Sequence, residues 1–215
     1  MDNLYTIILV LVLSPLLGSL IAGFFGRQLG RQTTHRIIII LMGVSLLLSL
    51  FVAKLYLIDG IALLNINAFT WATGGSLFPF SFNIGFLIDP LTAIMLVVVC
   101  FVSFFVHVYS IGYMTDDPGY QRFFSYISLF TFSMLMLVTA NNFLQLFFGW
   151  EAVGLVSYLL IGFWFKKESA NQGSLKAFLV NRVGDFGFLL GIAVIFAYTG
   201  TLDYQQVFAQ SAILV

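Results

Sequence analysis

Ionisable side chains stand inside two long apolar segments in the last third of the sequence. Glu151 lies within the apolar run 143–165, and Lys176, Arg182 and Asp185 lie within the run 174–198. A charge near the middle of a bilayer costs roughly 2.5 kcal/mol or more on insertion scales. An isolated carboxyl group in hydrocarbon takes up a proton rather than staying charged. Glu151 therefore has the chemistry of a proton-exchanging group. The alternative is a neutral carboxyl group that hydrogen-bonds a neighbouring helix.

Arg182 and Asp185 are three residues apart in sequence, so on a helix their side chains share one face. Two interpretations are open: a self-neutralising pair that helps the helix insert, or a pair that takes part in ion movement. Asp185 lies ~17 Å from the inner end of its helix, and Glu151 lies ~21 Å from the inner end of its own. Carboxyl groups at similar depth can couple their titrations if water or a side chain connects them.

The sequence leaves the roles of Lys176 and His107 open. Lys176 points to nearly the opposite helix face from Asp185, and it either extends to the headgroups or acts as a relay near the inner end. His107 stands in the apolar run 91–113. A histidine can shuttle protons because its ordinary pKa is near 6.5. The alternative for His107 is a packed, hydrogen-bonded side chain.

The composition shows what must position these residues. The 215 residues are 60% hydrophobic and 8% charged, with a mean hydropathy of +1.04, whereas soluble domains carry roughly 25% charged residues. The zero net charge argues against nucleic acid as a partner. Cys100 is the single cysteine, which excludes an intrachain disulfide and a multi-cysteine metal site. The sequence predicts an all-α, polytopic transmembrane helical bundle.

We predict one membrane domain over residues 1–215 with about six spans, because each needs about 20 mostly apolar residues. They lie at 4–25, 37–58, 91–113, 123–140, 143–165 and 174–198. The sixth qualifies only if its charged residues face protein or water.

The connections between spans predict a topology. The segment 26–36 reads as a basic loop, whereas 59–89 has no Lys or Arg. Within the latter, Phe78, Phe80 and Phe82 alternate with smaller residues, which predicts an extracytoplasmic hairpin-like loop at the interface. Asp89 and Pro90 predict a helix start. Lys and Arg concentrate in the first, third and fifth connections, so we expect these inside and the N-terminus on the outer, periplasmic side.

Several kinds of site are not visible in the sequence. It has no phosphate-cradling Gly-rich loop, nucleophile elbow or metal-ligand cluster. We therefore expect no cofactor, no metal and no catalytic residue of a redox or hydrolytic reaction in this chain. The energy for any translocation would come from elsewhere.

Two segments resemble the subunit L (chain 5) family of NADH–quinone oxidoreductase, respiratory complex I. They are 141–164, NNFLQLFFGWEAVGLVSYLLIGFW, and 176–187, KAFLVNRVGDFG. Residues 86–91 and 106–114 match as well, so the resemblance covers essentially the whole chain. Related antiporter-like (Mrp-type) subunits share Trp-Glu in the fifth span, but the residues that follow match less closely. Ala152 stands where the family often has glycine, and the ionisable set is intact.

The resemblance implies a proton-translocating membrane-arm subunit with inverted five-helix repeats and broken helices. Glu151 would match the fifth-helix glutamate, whose partner is a lysine on a seventh helix. Arg182 and Asp185 would match the sixth-helix pair, and Lys176 the nearby lysine. NAD, flavin, iron–sulfur clusters and quinone are expected in partner subunits, and the partners are other membrane-arm subunits, the lipid bilayer and protons. The location implied is a bacterial inner membrane rather than a mitochondrial one.

Family members are several hundred residues long, whereas this sequence stops at Val215. We therefore expect an N-terminal fragment that does not complete a proton channel by itself. Two other hypotheses are a subunit of a redox-independent sodium/proton antiporter and a non-functional assembly fragment.

Overall fold

Long helices and one β-hairpin make up the computed structural model, which describes residues 2–74 and 81–210. The elements are α1 (Asp2–Leu20), a π-helical turn (Ile21–Phe25), α2 (Gly26–Leu57), β1 (Leu64–Thr73), β2 (Ser81–Ile88), α3 (Pro90–Tyr113), α4 (Tyr120–Val138), α5 (Phe143–Ile161), α6 (Glu168–Thr199) and α7 (Tyr204–Ala209). In the described residues, five helical stretches are long and apolar enough to cross a membrane. The chain is therefore an integral membrane protein of helical architecture, as predicted.

The first of these stretches folds back on itself. Asn3–Leu57 has 55 residues, which would extend ~80 Å if straight, far beyond the ~30 Å of a bilayer core. Gly30 interrupts it with φ 75° and ψ 172°, a conformation that glycine adopts at low cost. Ser45 then donates a hydrogen bond to the Leu11 carbonyl at 2.9 Å. The two arms are thus antiparallel, and the five stretches supply six apolar crossings.

Three predicted helix boundaries are wrong by four residues or more. The segment 26–36 is helical except at Gly30, and α6 begins at Glu168 rather than at 174. The helix α5 ends at Ile161 rather than at 165, and its C-cap residue, Gly162, lies close to the Ser174 side chain. Hydropathy detects only the apolar part of a helix, whereas polar residues extend a helix beyond the membrane without penalty. By contrast, Asp89 caps α3 as predicted, accepting the Thr92 backbone N–H at 2.7 Å.

The segment between the second and third crossings contains the antiparallel pair β1 and β2, whose register runs from Leu64↔Ile88 to Thr73↔Ser81. Phe78 and Phe80, part of the predicted alternation, lie outside the described residues. Phe82 is buried in β2 and stacks on Trp71 with ring centroids 5.5 Å apart.

Amide side chains bind this hairpin to the short connection between α4 and α5. Asn141 donates from Nδ2 to Oδ1 of Asn65 and of Asn67, each at 2.9 Å. Asn142 donates to the Asn83 carbonyl at 2.8 Å. The hairpin and the start of α5 therefore form one unit at this end of the bundle.

Asn142 is also the N-cap of α5, where its Oδ1 accepts the Gln145 backbone N–H at 2.8 Å. The Gln145 side chain in turn bonds both the N–H and the carbonyl of Gly85. A Cβ on Gly85 would overlap the Asn141 side chain and the Ile66 carbonyl oxygen. These contacts fix where α5 begins, and hence the depth of the residues along it.

Two buried apolar clusters hold the first four long helices together. One joins α1, α2 and α3 to β2, and it includes Leu11, Val52, Ile88 and Leu96. The other lies nearer the basic connections, around Phe124. The last long helix, α6, packs mainly along α5, and in the described chain its buried residues are Ser174, Asp185 and Ile192. The α5–α6 pair is therefore the most exposed part of the bundle.

Candidate functional site

Arg182 lies between two carboxylates, one on its own helix and one on the neighbouring helix. Its Nη1 donates to Oε2 of Glu151 on α5 and forms an ion pair with Oδ2 of Asp185 at 3.6 Å. Asp185 is the predicted partner at i, i+3. The contact with Glu151 is not visible in the sequence, because spacing along a helix does not specify its neighbours. One cation is therefore shared by two acids.

Trp150 completes this cluster from α5. Its indole Nε1–H donates to Oδ1 of Asp185 at 2.8 Å. The side chain of Asp185 is 8% exposed, that of Glu151 is 20% exposed, and that of Arg182 is 38% exposed. The two carboxylates lie close together with Arg182 between them, and their equal depth in a membrane stays a prediction. Sequence reasoning missed Trp150, and its adjacency to Glu151 in the motif was the available signal.

The guanidinium of Arg182 is also held by an aromatic ring. Its Cζ lies 4.7 Å from the ring centroid of Phe178, one turn earlier on α6. Its Nε is buried and has no hydrogen-bond partner among the described residues. The ring thus packs against the guanidinium while Arg182 contacts both carboxylates, and the Nε–H is a buried donor that is unused among the described residues.

Lys176 does not join this cluster. It is exposed on another face of α6, and in residues 2–74 and 81–210 no ion pair links it to a carboxylate. Its role as a relay therefore stays a prediction.

His107 is fully buried between α3 and α4, and both ring nitrogens have partners. The Ser103 carbonyl can only accept, so Nδ1–H donates to it at 2.7 Å. Nε2 of the neutral ring then accepts from the Ser128 hydroxyl at 3.0 Å. Ser103 continues the network to the Thr131 hydroxyl. This geometry matches the packed, hydrogen-bonded alternative, and a proton-carrying role for His107 stays a prediction.

The cluster on α5 and α6 can move charge without forming a covalent bond. A guanidinium shared by two acids can favour one or the other, and the acid that loses it can take up a proton. In the described part of the chain, no group of three His, Cys, Asp or Glu side chains is placed to hold a metal ion. The expectation of no resident cofactor is not tested by this observation and stays a prediction.

The fold and the charged cluster define a polytopic helical membrane protein with ion pairs between two of its crossings. Residues 71–124 match the family described as NADH-ubiquinone oxidoreductase (complex I), chain 5 N-terminus. Residues 140–214, which include the whole cluster, match the family described as NADH:quinone oxidoreductase/Mrp antiporter, transmembrane. The chain is thus similar to these two families over residues 71–124 and 140–214.

Curated relatives agree along almost the whole sequence. NADH-quinone oxidoreductase subunit L of Neisseria meningitidis serogroup A is 59% identical over 96% of the chain and 31% of that protein. The same subunit of Rickettsia conorii is 44% identical over 97% of the chain and 31% of that protein. NADH-ubiquinone oxidoreductase chain 5 of Triticum aestivum is 49% identical over 94% of the chain and 29% of that protein. The chain thus spans about a third of the length of these relatives.

A solved structure shares the fold. A chain of the membrane-bound sulfane sulfur reductase, an archaeal respiratory membrane complex, superposes with a TM-score of 0.77 at 18% identity. The match covers 96% of this chain and 39% of that one. At this identity the likeness establishes the architecture and says nothing about the reaction.

Proposed function

We propose that the chain carries part of the proton-translocating machinery of a membrane-arm subunit of NADH–quinone oxidoreductase. The observation that carries the proposal is Arg182 between Glu151 and Asp185 inside two membrane-crossing helices. The relatives named for this enzyme support it. Electron transfer from NADH to quinone takes place in partner subunits, which hold the redox groups.

The proposed cycle uses one cation and two acids. While Arg182 pairs with Glu151, the carboxylate stays charged. When Arg182 shifts towards Asp185, with which it already forms an ion pair, Glu151 loses its counterion in an apolar setting and takes up a proton. The return of Arg182 expels that proton. Conformational change in the partner subunits supplies the energy for the shift.

The basic connections support an orientation in a bacterial inner membrane. Arg31 in the first connection donates to the Asp117 carbonyl in the third at 3.0 Å. Arg122 beside the third donates to the Phe163 carbonyl, which precedes the fifth, at 3.1 Å. These connections lie at one end of the bundle, which we assign to the cytoplasmic side, with the N-terminus periplasmic. Other membrane-arm subunits and lipid are the proposed neighbours.

The decisive variant is Glu151→Gln in the full-length protein within its native complex. Glutamine keeps the size of the side chain but neither accepts a proton nor pairs with Arg182 as a charge. We expect NADH-driven proton pumping into inverted vesicles to fall by at least about tenfold.

The matched control is Glu168→Gln, the same chemical change at the exposed start of α6, where Glu168 bonds Gln172 at 3.0 Å. Pumping in the control should equal that of the parent protein. Undiminished pumping in Glu151→Gln would reject the proposal.

A second candidate, sodium/proton antiport without redox coupling, is supported by the Mrp antiporter description of the family matched by residues 140–214. The two functions differ in their energy source. Antiport would persist in vesicles that contain the protein without redox subunits, whereas the proposed function requires NADH oxidation in co-purifying subunits.

A further inference from the structure

A cavity of about 850 Å³ opens at the end of the bundle where the basic connections meet. It lies between the π-helical turn Ile21–Phe25, the start of α4 and the segment that follows α5. Four cations line it: Arg27, Arg122, Lys166 and Lys167. The cavity lies at the helix ends, and Glu151, Arg182 and Asp185 do not line it.

The single carboxylate among the described lining residues is already engaged. Oδ1 of Asp117 accepts the Gly119 backbone N–H at 2.6 Å, and Oδ2 accepts the Trp164 indole N–H at 2.8 Å. The hydrogen bond from Trp164 lowers the pKa of Asp117, with further lowering by Gly119 and by the charges of Arg122 and Arg31. Asp117 stays ionised at neutral pH, and it offsets only one of the four positive charges.

Arg122 is held rigidly at the wall of the cavity. Its guanidinium lies 4.6 Å from the ring centroid of Phe163 and 5.1 Å from that of Phe165. It donates from Nη2 to the Phe163 carbonyl. Its Nε is buried and lacks a hydrogen-bond partner among the described residues. An arginine held in this way at the wall of a cavity is suited to an anion with several oxygen acceptors.

Aromatic side chains form the remaining wall. Phe24 is 76% exposed and Phe165 is 56% exposed, and both line the cavity together with Trp164. Lys167 lies 4.8 Å from the Trp164 ring centroid. A positive cavity with an exposed aromatic wall, at the level where helices leave the bilayer, has the amphipathic character of a lipid headgroup region.

We propose that this cavity binds the phosphate-bearing headgroup of an anionic phospholipid from the leaflet on the basic side. The phosphate pairs with Arg122 and the two lysines, and the acyl chains lie along Phe24 and Phe165. The group that the cavity recognises is a phosphate oxyanion, so a free phosphate ion is the alternative ligand. An acidic segment of a neighbouring polypeptide is the competing macromolecule.

The test uses the intact, full-length protein, stripped of lipid and returned to vesicles of phosphatidylcholine with or without phosphatidylglycerol. The readouts are the midpoint of thermal unfolding and the lipids retained in native mass spectra. We expect phosphatidylglycerol to raise the midpoint and to be retained. The Lys166→Gln, Lys167→Gln double variant should weaken retention by roughly 30-fold. Both lysines are exposed, so this variant keeps the fold.

The control is Lys54→Gln, because Lys54 is an exposed cation at the other end of the bundle, paired with Asp59 at 3.8 Å. It should leave phosphatidylglycerol retention unchanged. Three results would overturn the proposal: equal protection by phosphatidylcholine, equal protection by inorganic phosphate, or a co-purifying acidic polypeptide in place of lipid. Arg122→Gln provides a second variant, which should lose retention more strongly than Lys166→Gln or Lys167→Gln alone.

Discussion

Trp150 holds Asp185 on the side opposite to Arg182, through an indole N–H donated to Oδ1 at 2.8 Å. Trp150 is adjacent to Glu151 in sequence, yet it bonds the other acid of the cluster. The helix α5 therefore contributes Glu151, which competes with Asp185 for Arg182, and Trp150, which bonds Asp185. We therefore expect the hydrogen bond between Trp150 and Asp185 to influence how Arg182 divides its time between Glu151 and Asp185.

Replacing Trp150 by phenylalanine tests that balance. Without the indole donor, Asp185 competes more strongly for Arg182 and draws it away from Glu151. An interhelical hydrogen bond in a membrane contributes about 1 kcal/mol, so we expect NADH-driven pumping to fall roughly fivefold. The initial rate of acidification in inverted vesicles measures this. Trp71→Phe, on the exposed hairpin, serves as the control and should pump normally.

Gly149 fixes how closely α5 approaches α4. A Cβ at this position would lie 2.7 Å from the Leu137 Cα and 2.9 Å from its backbone nitrogen. Backbone cannot give way as a flexible side chain can, so Gly149→Ala should cost about 1–3 kcal/mol of folding free energy. Denaturant titration in detergent measures the loss. Gly191→Ala on α6, where a Cβ meets nothing within 4 Å, should be neutral or slightly stabilising. Equal costs would contradict the packing argument.

Ser128 tests whether His107 is a packed residue. Ser128→Ala removes the hydroxyl donor to Nε2 and leaves a buried nitrogen without its partner. We expect a loss of about 1–3 kcal/mol in stability while NADH-driven pumping per folded complex is retained. A large loss of pumping at unchanged stability would instead support a proton-carrying role for His107.

Asp117 makes a pH-dependent contribution to stability. The Trp164 hydrogen bond lowers the pKa of Asp117 below its ordinary value of 3.8. A depressed native pKa adds stability above the unfolded-state pKa, and this stability is lost as the pH falls through the native value. Trp164→Phe should therefore lower the unfolding midpoint at pH 7, and the difference from the parent protein should shrink below about pH 4. A difference that is constant from pH 7 to pH 2 would contradict this.

The sequence predicts the features that are determined within a single segment of the chain. Apolar length predicts the crossings, Asp89 and Pro90 predict the start of α3, and the spacing of Arg182 and Asp185 predicts their ion pair. The contact between Arg182 and Glu151 depends on how α5 and α6 pack, and no period within either helix specifies it. Hydropathy does not detect that α6 begins at Glu168, because the first residues of this helix are polar.

The cap at Asn142 imposes a limit on sequence length. Asn142 is tied to the hairpin through Asn83 and to α5 through Gln145, and Glu151 follows ~13 Å further along the helix. Each inserted or deleted residue between them would rotate Glu151 by about 100° about the helix axis and turn it away from Arg182. The segment 143–150 should therefore tolerate many substitutions but no insertion or deletion. The hydrogen bonds of Asn142 fix the start of α5, so the helix cannot shift along its axis to compensate.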